Sequence, residues 1–262
     1  MLKCRKHFLI ILLFLLFSLS FSLCPLPVFA ETVRESFQEV AKSFLEGDYS
    51  RAIKSSWRLR EEFPHSQYAI EAKYLAGLAY LKLKGYKKAE KIFKDLCKAR
   101  HSKDKFYLGL ANSYYLQEDW ERALSVLQEA LRRFPSTELK GVIYFRLGRC
   151  KQKKGEWGAA KYYFTKLVQE FPLGLEAKEA KKILEEGEFY FTVQLGAFTD
   201  KQNAQRVKYQ LIQQGYPAYI SVLEKEWQRF YRLRVGRFGL RQEAEVVKKN
   251  LEKEGYKPRI YP

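Results

Sequence analysis

Two short segments carry the residue types best suited to binding a ligand. FTVQLGAF at 191–198 and FYRLRVGRF at 230–238 both contain a glycine near the end, and each precedes a charged segment. Neighbouring side chains in a strand point to opposite faces. Gln194 therefore lies opposite the apolar residues of the first segment, and Phe230, Arg232 and Arg234 lie opposite those of the second. The pattern predicts a sheet with a buried back and a polar, aromatic front that binds a ligand.

The surrounding residues predict the domain that holds these strands. Helical periodicity at 201–214 and 241–254 separates strand-like segments at 189–196, 218–223, 229–235 and 258–261. The order βαββαβ forms a four-stranded antiparallel sheet with both helices on one face. The sequence thus predicts an α+β domain at residues 188–262.

Both segments resemble the hallmark motifs of the SPOR family, peptidoglycan-binding modules of bacterial envelope proteins. The resemblance rests on VQLGAF at 193–198, on YRLRVGRF at 231–238, and on the alanine-bearing starts of the helices that follow, Asn203-Ala204 and Glu243-Ala244. It implies binding to glycan strands stripped of their stem peptides, on the open sheet face.

The same resemblance suggests a role for each residue of the face. Gln194 matches the family's polar contact, Phe230 falls where an aromatic residue stacks on a sugar, and arginines 232 and 234 line the same face. Ala197 stands where some members carry a hydroxyl, which places that hydrogen bond in doubt. The candidates for the border of the site are Ala197, Tyr219, Ser221 and Trp227.

This residue set suits a neutral sugar polymer, which needs an aromatic plane for its CH face and donors for its hydroxyl and acetamido groups. The alternative is a structural Gln194 at a strand edge with solvated arginines. RNA-recognition modules share the βαββαβ order and stack bases on aromatic residues. Their aromatic-rich motifs are missing here, where only Tyr190 and Phe230 face outward. Nucleic acid is therefore not the expected partner.

Residues 31–187 contain an internal repeat. Alanines that follow a similar turn recur at intervals of 37, 34 and 37 residues, at positions 52, 89, 123 and 160. A small residue precedes them in register at Gly77, Ala111 and Gly148, and Phe-Pro pairs close three units. The segment resembles the tetratricopeptide repeat (TPR) family, with four helix pairs over about residues 33–173 and a capping helix to residue 186.

The TPR resemblance implies an all-α superhelix whose concave groove binds a protein. The groove residues transferred by register are Tyr74, Leu78, Leu108, Asn112, Tyr115, Phe145 and Arg149. The alternative is that the apolar members pack between repeats. The identity of the protein partner does not follow from the sequence.

The first thirty residues have the pattern of a secretory signal peptide. Lys3, Arg5 and Lys6 precede an apolar run, prolines 25 and 27 end its helix, and Val28-Phe29-Ala30 suits cleavage after Ala30. The run is short for a membrane span. The other possibilities are an uncleaved anchor and a lipoprotein cysteine at Cys24. We expect an exported, envelope-associated chain with no stable membrane span after cleavage.

Composition supports an ordered, basic, two-domain protein. The chain has 262 residues, is 47% hydrophobic and carries a formal charge of +18. Residues 31–187 hold 31 basic and 22 acidic side chains and residues 188–262 hold 14 and 8, so both parts are basic. Such a charge favours polyanionic partners or is a solvated surface. Cys97 and Cys150 fall within helical patterns and are expected to be buried thiols.

No catalytic or metal-binding pattern stands out. His65 and His101 lie beside inter-helix turns of different repeats, and no nucleophile motif, metal-ligand spacing or phosphate loop occurs. We therefore expect a non-enzyme without a cofactor or metal. The predicted function is an envelope adaptor that binds peptidoglycan and a protein partner, with a role in cell division or envelope maintenance. The alternative is a Tol–Pal or outer-membrane-assembly type of TPR scaffold in which glycan binding is secondary.

Overall fold

The computed structural model describes residues 26–100, 102–225 and 227–262. The chain divides into two compact units, one that ends at Ala99 and one from Arg100 to Pro262. Most of the predicted signal peptide, including Cys24, lies outside the described residues. The first described helix begins at Leu26 and contains the predicted cleavage site after Ala30. Pro27 lies in the first turn of this helix, where its missing N–H costs no hydrogen bond.

The described part of the first unit, from residue 26 onward, contains two helix pairs. Their bounds are α1 (Leu26–Leu45), α2 (Tyr49–Glu62), α3 (Gln67–Lys82) and α4 (Tyr86–Lys98). Asp48 caps α2 by accepting a hydrogen bond from the backbone N–H of Arg51, and α2 ends just before Phe63-Pro64 as expected. A Cβ at Gly77 would lie 2.7 Å from the ring of Phe93. The predicted small residue is therefore needed where α3 and α4 approach each other.

The second unit begins with two more helix pairs and a single helix. Their bounds are α5 (Asp104–Leu116), α6 (Trp120–Arg133), α7 (Lys140–Lys154), α8 (Trp157–Glu170) and α9 (Leu175–Glu186). Gly148 on α7 repeats the close approach, because a Cβ there would lie 2.5 Å from the ring of Phe164 on α8. These elements confirm the predicted helix pairs and capping helix.

The sheet follows in the same unit. Its elements are β1 (Phe191–Phe198), α10 (Lys201–Gln213), β2 (Ala218–Lys225), β3 (Gln228–Phe238), α11 (Arg241–Lys253) and β4 (Arg259–Tyr261). The strands are antiparallel in the order β2-β3-β1-β4. Phe191, Val193, Leu233 and Val235 are buried in one core with Leu211 of α10 and residues 244 and 251 of α11. The predicted α+β fold and the predicted buried face are confirmed.

The two cysteines differ in burial. Cys150 is fully buried on α7, and burial raises the pKa of its thiol to about 12. Cys97 on α4 is half-buried. Cys150 therefore remains a protonated, apolar core residue at neutral pH, as expected.

Candidate functional site

The register of the sheet brings the predicted site residues to one face. Gln194 lies between Arg234 on β3 and Arg259 on β4. Arg234 is in turn opposite Tyr219 on β2. These four residues form one row across the face that points away from α10 and α11.

A second row depends on an irregularity in β1. The pairing with β3 shifts between Gln194 and Gly196, which places Ala197 opposite Arg232. Ser221 flanks Arg232 on its other side. Without this shift the strict alternation of β1 would send residue 197 to the core face. The bulge thus keeps Ala197 beside the predicted ligand-binding arginine.

A third row lies toward the β2–β3 turn, where Phe230 is opposite Leu223. Phe230 is half-buried, so one part of its ring is available to a ligand. Trp227, in the turn, is fully exposed. An aromatic surface therefore occupies this end of the face.

The opposite end of the face is closed by the segment before β1. Arg234 is only 3% exposed, and its Nη1 donates to both carboxylate oxygens of Glu188 at 2.9 and 3.0 Å. The hydroxyl of Tyr219 donates to Thr192 Oγ1 at 3.1 Å. The guanidinium of Arg237 lies 5.1 Å from the ring of Tyr219 and also contacts Tyr190 in the closing segment. Arg234 therefore holds Glu188 in place and is not an open ligand contact, contrary to the simple picture from strand alternation.

Arg232 lies in the part of the face that remains accessible. It is half-buried, and burial lowers the pKa of its guanidinium, an effect that the nearby charge of Arg234 increases. Arg232 Nε and Ser221 Oγ are buried without a hydrogen-bond partner among the described residues. A guanidinium stays protonated even so. Two adjacent strands therefore carry polar groups whose hydrogen-bonding capacity is unused at this position.

A second wall faces the sheet across a cleft of about 360 Å³. The cleft is lined on the sheet side by Leu223, Arg232, Arg234, Tyr261 and Pro262, and on the helical side by Arg149, Gln152, Glu179, Lys182, Ile183, Glu186 and Glu188. Its volume is in the range of small-ligand pockets. The cleft joins Arg149, a predicted groove residue, to the predicted glycan residues 232 and 234.

Trp157 at the start of α8 holds the sheet in this position. Its ring packs on Phe191 with centroids 4.8 Å apart, and its Nε1 donates to the carbonyl oxygen of Gly239 at 3.1 Å. The Phe191 ring also lies against Gly155, whose left-handed backbone (φ 78°) favours glycine. On α8, Lys161 lies 4.7 Å from the ring of Phe189. The last helix pair and the sheet are therefore packed through an aromatic contact.

The predicted protein-groove residues differ in their availability. In the first unit, Tyr74 is half-buried and packs edge-on against Phe93, and Leu78 is half-buried. In the second unit, Leu108 and Asn112 are half-buried on α5.

Of the remaining three groove residues, Arg149 lines the cleft, whereas Tyr115 and Phe145 do not. Burial raises the pKa of Tyr115, although the nearby charge of Arg149 acts in the opposite direction. Phe145 is buried with its ring 5.9 Å from Phe164, so it packs between helices and is not a groove contact. Helical register placed it correctly on α7 but could not distinguish a core position from a groove position.

The sequence interpretation missed Glu188, Gln152 and Glu186 as cleft residues. None of them belongs to a motif, and each becomes relevant only because α7 and α9 face the sheet. The charged Glu186-Gly187-Glu188 segment between the repeats and β1 was the one local signal.

The described ranges contain neither a candidate metal centre nor a candidate membrane span. No group of three or more His, Cys, Asp or Glu side chains there is arranged to hold a metal ion. None of the described helices combines the length and the apolar character that a membrane span requires.

Comparisons with known proteins agree with both parts of the chain. Residues 187–261 match the family model of the SPOR domain, and residues 106–137 and 143–174 match the tetratricopeptide repeat model. The two repeat matches cover α5–α6 and α7–α8. SPOR domains are a peptidoglycan-binding family and tetratricopeptide repeats mediate protein interaction, so both parts are binding domains.

Solved structures of repeat proteins resemble the chain. A tetratricopeptide repeat protein from Parabacteroides merdae is 14% identical, with a TM-score of 0.50, and the match covers 71% of this chain and 67% of that chain. A thermophilic TPR protein from Thermus thermophilus is 21% identical, with a TM-score of 0.49, over 59% of this chain and 83% of that one. The first likeness supports the repeat fold alone. No curated protein matches the chain.

Proposed function

The chain is a tetratricopeptide-repeat protein with a C-terminal SPOR domain, and we propose that it is an exported cell-envelope adaptor. In this proposal the sheet binds denuded glycan strands of peptidoglycan, the repeats bind a protein, and no bond is made or broken. Cell division or envelope maintenance is the proposed setting. The observation that carries the proposal is the accessible end of the sheet face, where Phe230, Arg232 and Ser221 adjoin one another.

The chemistry of this surface fits a sugar polymer. Phe230 offers an aromatic plane for the CH face of a pyranose ring. Gln194 and Arg232 offer an amide and a guanidinium for hydroxyl and acetamido oxygens. Arg234 lies on the same face beside the site, but its guanidinium is paired with Glu188 and is not offered to the sugar.

Binding to sacculi tests the glycan half of the proposal. The full chain is incubated with sacculi that have been digested with an amidase, which removes stem peptides, and with undigested sacculi. We expect pelleting with the digested material to be the stronger of the two. Equal pelleting with both preparations would refute the preference for denuded glycan. No pelleting with either would refute glycan binding and leave the chain as a repeat scaffold.

Matched variants locate the site on the sheet. Gln194→Ala removes about 1 kcal/mol of hydrogen bonding, or about fivefold in affinity. Phe230→Ala removes an apolar contact and weakens binding about tenfold or more. The controls are Gln205→Ala and Tyr209→Ala, which remove an amide and an aromatic ring from the exposed surface of α10. Loss of binding in the controls would show that the sheet face is not the site.

Export and the repeat groove are tested separately. N-terminal sequencing of the chain recovered from a bacterial periplasm is expected to begin at residue 31, and lipid modification of Cys24 would contradict this. For the groove, a photoreactive amino acid at Leu108 or Asn112 is expected to crosslink a protein that the same probe at exposed Tyr162 does not. Identical crosslinks at both places would exclude a groove-specific partner.

A further inference from the structure

Two arginines from opposite walls of the cleft have no carboxylate partner among the described residues. Arg149 comes from α7 and Arg232 from β3, and both line the cleft. Arg149 Nη1 donates to Gln152 Oε1 at 2.9 Å, while Arg232 Nε is buried and unpartnered. In the part of the chain that the structure describes, neither guanidinium forms an ion pair.

The acidic groups of the cleft are mostly matched by other cations. Glu188 is paired with Arg234 at 2.9 Å, and Glu186 lies 3.8 Å from Lys182. Glu179 is exposed on α9, where solvent screens its charge. Arg149 and Arg232 are therefore the cations of the cleft that have no carboxylate within ion-pair distance among the described residues, and each is half-buried.

A carboxylate is the anion that such a pair of arginines binds best. A guanidinium presents its N–H donors in a planar fork that matches the two oxygens of a carboxylate. Partial burial strengthens this attraction, because the effective dielectric is lower than in water. Gln152 fixes the direction of Arg149 in advance, which reduces the entropy lost on binding.

The ligand of the proposed function supplies a carboxylate in a regular position. In peptidoglycan the stem peptide is joined by an amide bond to the lactyl group of muramic acid. Hydrolysis of that bond leaves a free carboxylate on every second sugar of the strand. An intact strand carries a neutral amide at the same place.

We propose that the last helix pair is part of the glycan site, and that Arg149, together with Arg232, binds the lactyl carboxylate of the denuded strand. This inference rests on the proposed function and deepens it. The sheet holds the sugar ring against Phe230, and α7 supplies the charge that distinguishes a stripped strand from one with stem peptides. Arg149 is then assigned to the glycan and not to the protein groove in which its register placed it.

Charge removal at Arg149 tests the inference in the full chain. Arg149→Gln is expected to weaken binding to soluble denuded glycan about tenfold, as for the loss of a charge-assisted contact. Arg149→Lys keeps the charge but loses the planar fork of donors, so its affinity for the glycan is expected to lie between those of the original chain and Arg149→Gln. The matched control is Arg206→Gln, which removes the same charge from an exposed position on α10. Circular dichroism melting of each variant verifies that the fold is retained.

Modification of the ligand gives a second, independent measurement. Coupling methylamine to the carboxylates of denuded glycan converts them to neutral amides and leaves the sugars intact. The original chain is expected to bind this amidated glycan about tenfold more weakly, and Arg149→Gln is expected to bind both glycans equally.

The outcomes separate this inference from the function on which it rests. If the original chain binds denuded glycan but Arg149→Gln binds as tightly as Arg206→Gln, the helical wall has no role and the sheet alone is the site. Equal binding of amidated and unmodified glycan by the original chain would also overturn the inference. Failure of the original chain to bind either glycan would instead refute the proposed function.

Discussion

Replacing Glu188 with glutamine tests the ion pair that closes one end of the sheet face. The Arg234 side chain is 4% exposed and that of Glu188 is 24% exposed, with two N–O distances of 2.9 and 3.0 Å. Glu188→Gln removes the negative charge and leaves a buried guanidinium whose Nε already has no partner among the described residues. The change therefore isolates the cost of an uncompensated buried charge.

The expected loss follows from this burial. Breaking a fully buried pair by removing one partner costs about 3–5 kcal/mol. Since a quarter of Glu188 is exposed, we expect about 2–3 kcal/mol, which corresponds to a fall in Tm of about 5–10 °C for a unit of this size. The matched control is Glu186→Gln, which breaks an exposed pair with Lys182 and is expected to cost less than about 0.5 kcal/mol.

The assay must report on the second unit alone, because unfolding of the two units need not coincide. A Trp57→Phe background leaves fluorescent tryptophans only in the second unit, at positions 120, 157 and 227. Urea unfolding in this background then gives the free energy of unfolding for each variant. If Glu188→Gln lowered the free energy of unfolding no more than Glu186→Gln does, the stabilising role of the Arg234–Glu188 ion pair would be refuted. A double-mutant cycle with Arg234→Leu is expected to return a coupling energy of about 2 kcal/mol.

Three further changes test the packing around the cleft. Burial, together with the nearby arginines, lowers the pKa of Lys153 from 10.5 to about 8. Below pH 8 the native state therefore bears the full free-energy cost of burying the charged lysine. Between about pH 8 and 10.5 the unfolded chain binds more protons than the native state, so the free energy of unfolding rises with pH. Lys153→Met is expected to raise the free energy of unfolding by about 1–2 kcal/mol at pH 7 after allowance for partial exposure, with no difference above pH 10.5, as measured by urea unfolding across pH. Gly148→Ala forces a methyl group against the buried ring of Phe164 and is expected to cost about 1–3 kcal/mol in the same assay. Trp157→Ala removes the ring that packs on Phe191 and is expected to cost about 2–3 kcal/mol and to lower hydrogen-exchange protection in β1.

Each of these changes has an outcome that would contradict its reasoning. For Lys153→Met, a stability difference that stays constant from pH 7 to 10.5 would exclude titration of the lysine as the cause. The control for Gly148→Ala is Gly158→Ala, where a Cβ meets no atom within 4 Å and helix propensity is expected to add about 0.5–1 kcal/mol. For Trp157→Ala, unchanged protection in β1 would show that the sheet does not depend on the aromatic contact.

The faces of the strands could be predicted from sequence, whereas what covers each face could not. Leu233 and Val235 are buried and Arg232 lies on the opposite side, as the period of two requires. The same rule placed Arg234 beside Arg232 with equal access to a ligand. Arg234 is instead buried by Glu188, which is 46 residues away in the chain. Alternation fixes the direction of a side chain but carries no information on a partner so distant in sequence.

In the helix pairs, too, the sequence predicts some features and the tertiary structure alone decides others. Gly77 and Gly148 indicate from sequence that two helices approach closely, because a glycine leaves room for the facing aromatic ring. Register also put Phe145 and Arg149 on one helix, one turn apart. It could not show that the first packs on Phe164 while the second reaches the cleft, since that depends on how α8 and the sheet dock against α7.

The sequence by itself determined the two kinds of domain, the order of the elements and the face on which the proposed glycan-binding residues lie. These properties follow from local periodicity, from small residues at helix contacts and from motifs, all of which depend on residues that are close together in the sequence. Only the tertiary structure decided that the sheet face is half closed, that Leu195 bulges to keep Ala197 beside Arg232, and that α7 and α9 form a second wall. The reason is that burial and electrostatic environment depend on elements remote in sequence, which meet because Trp157 packs the last helix pair onto the sheet.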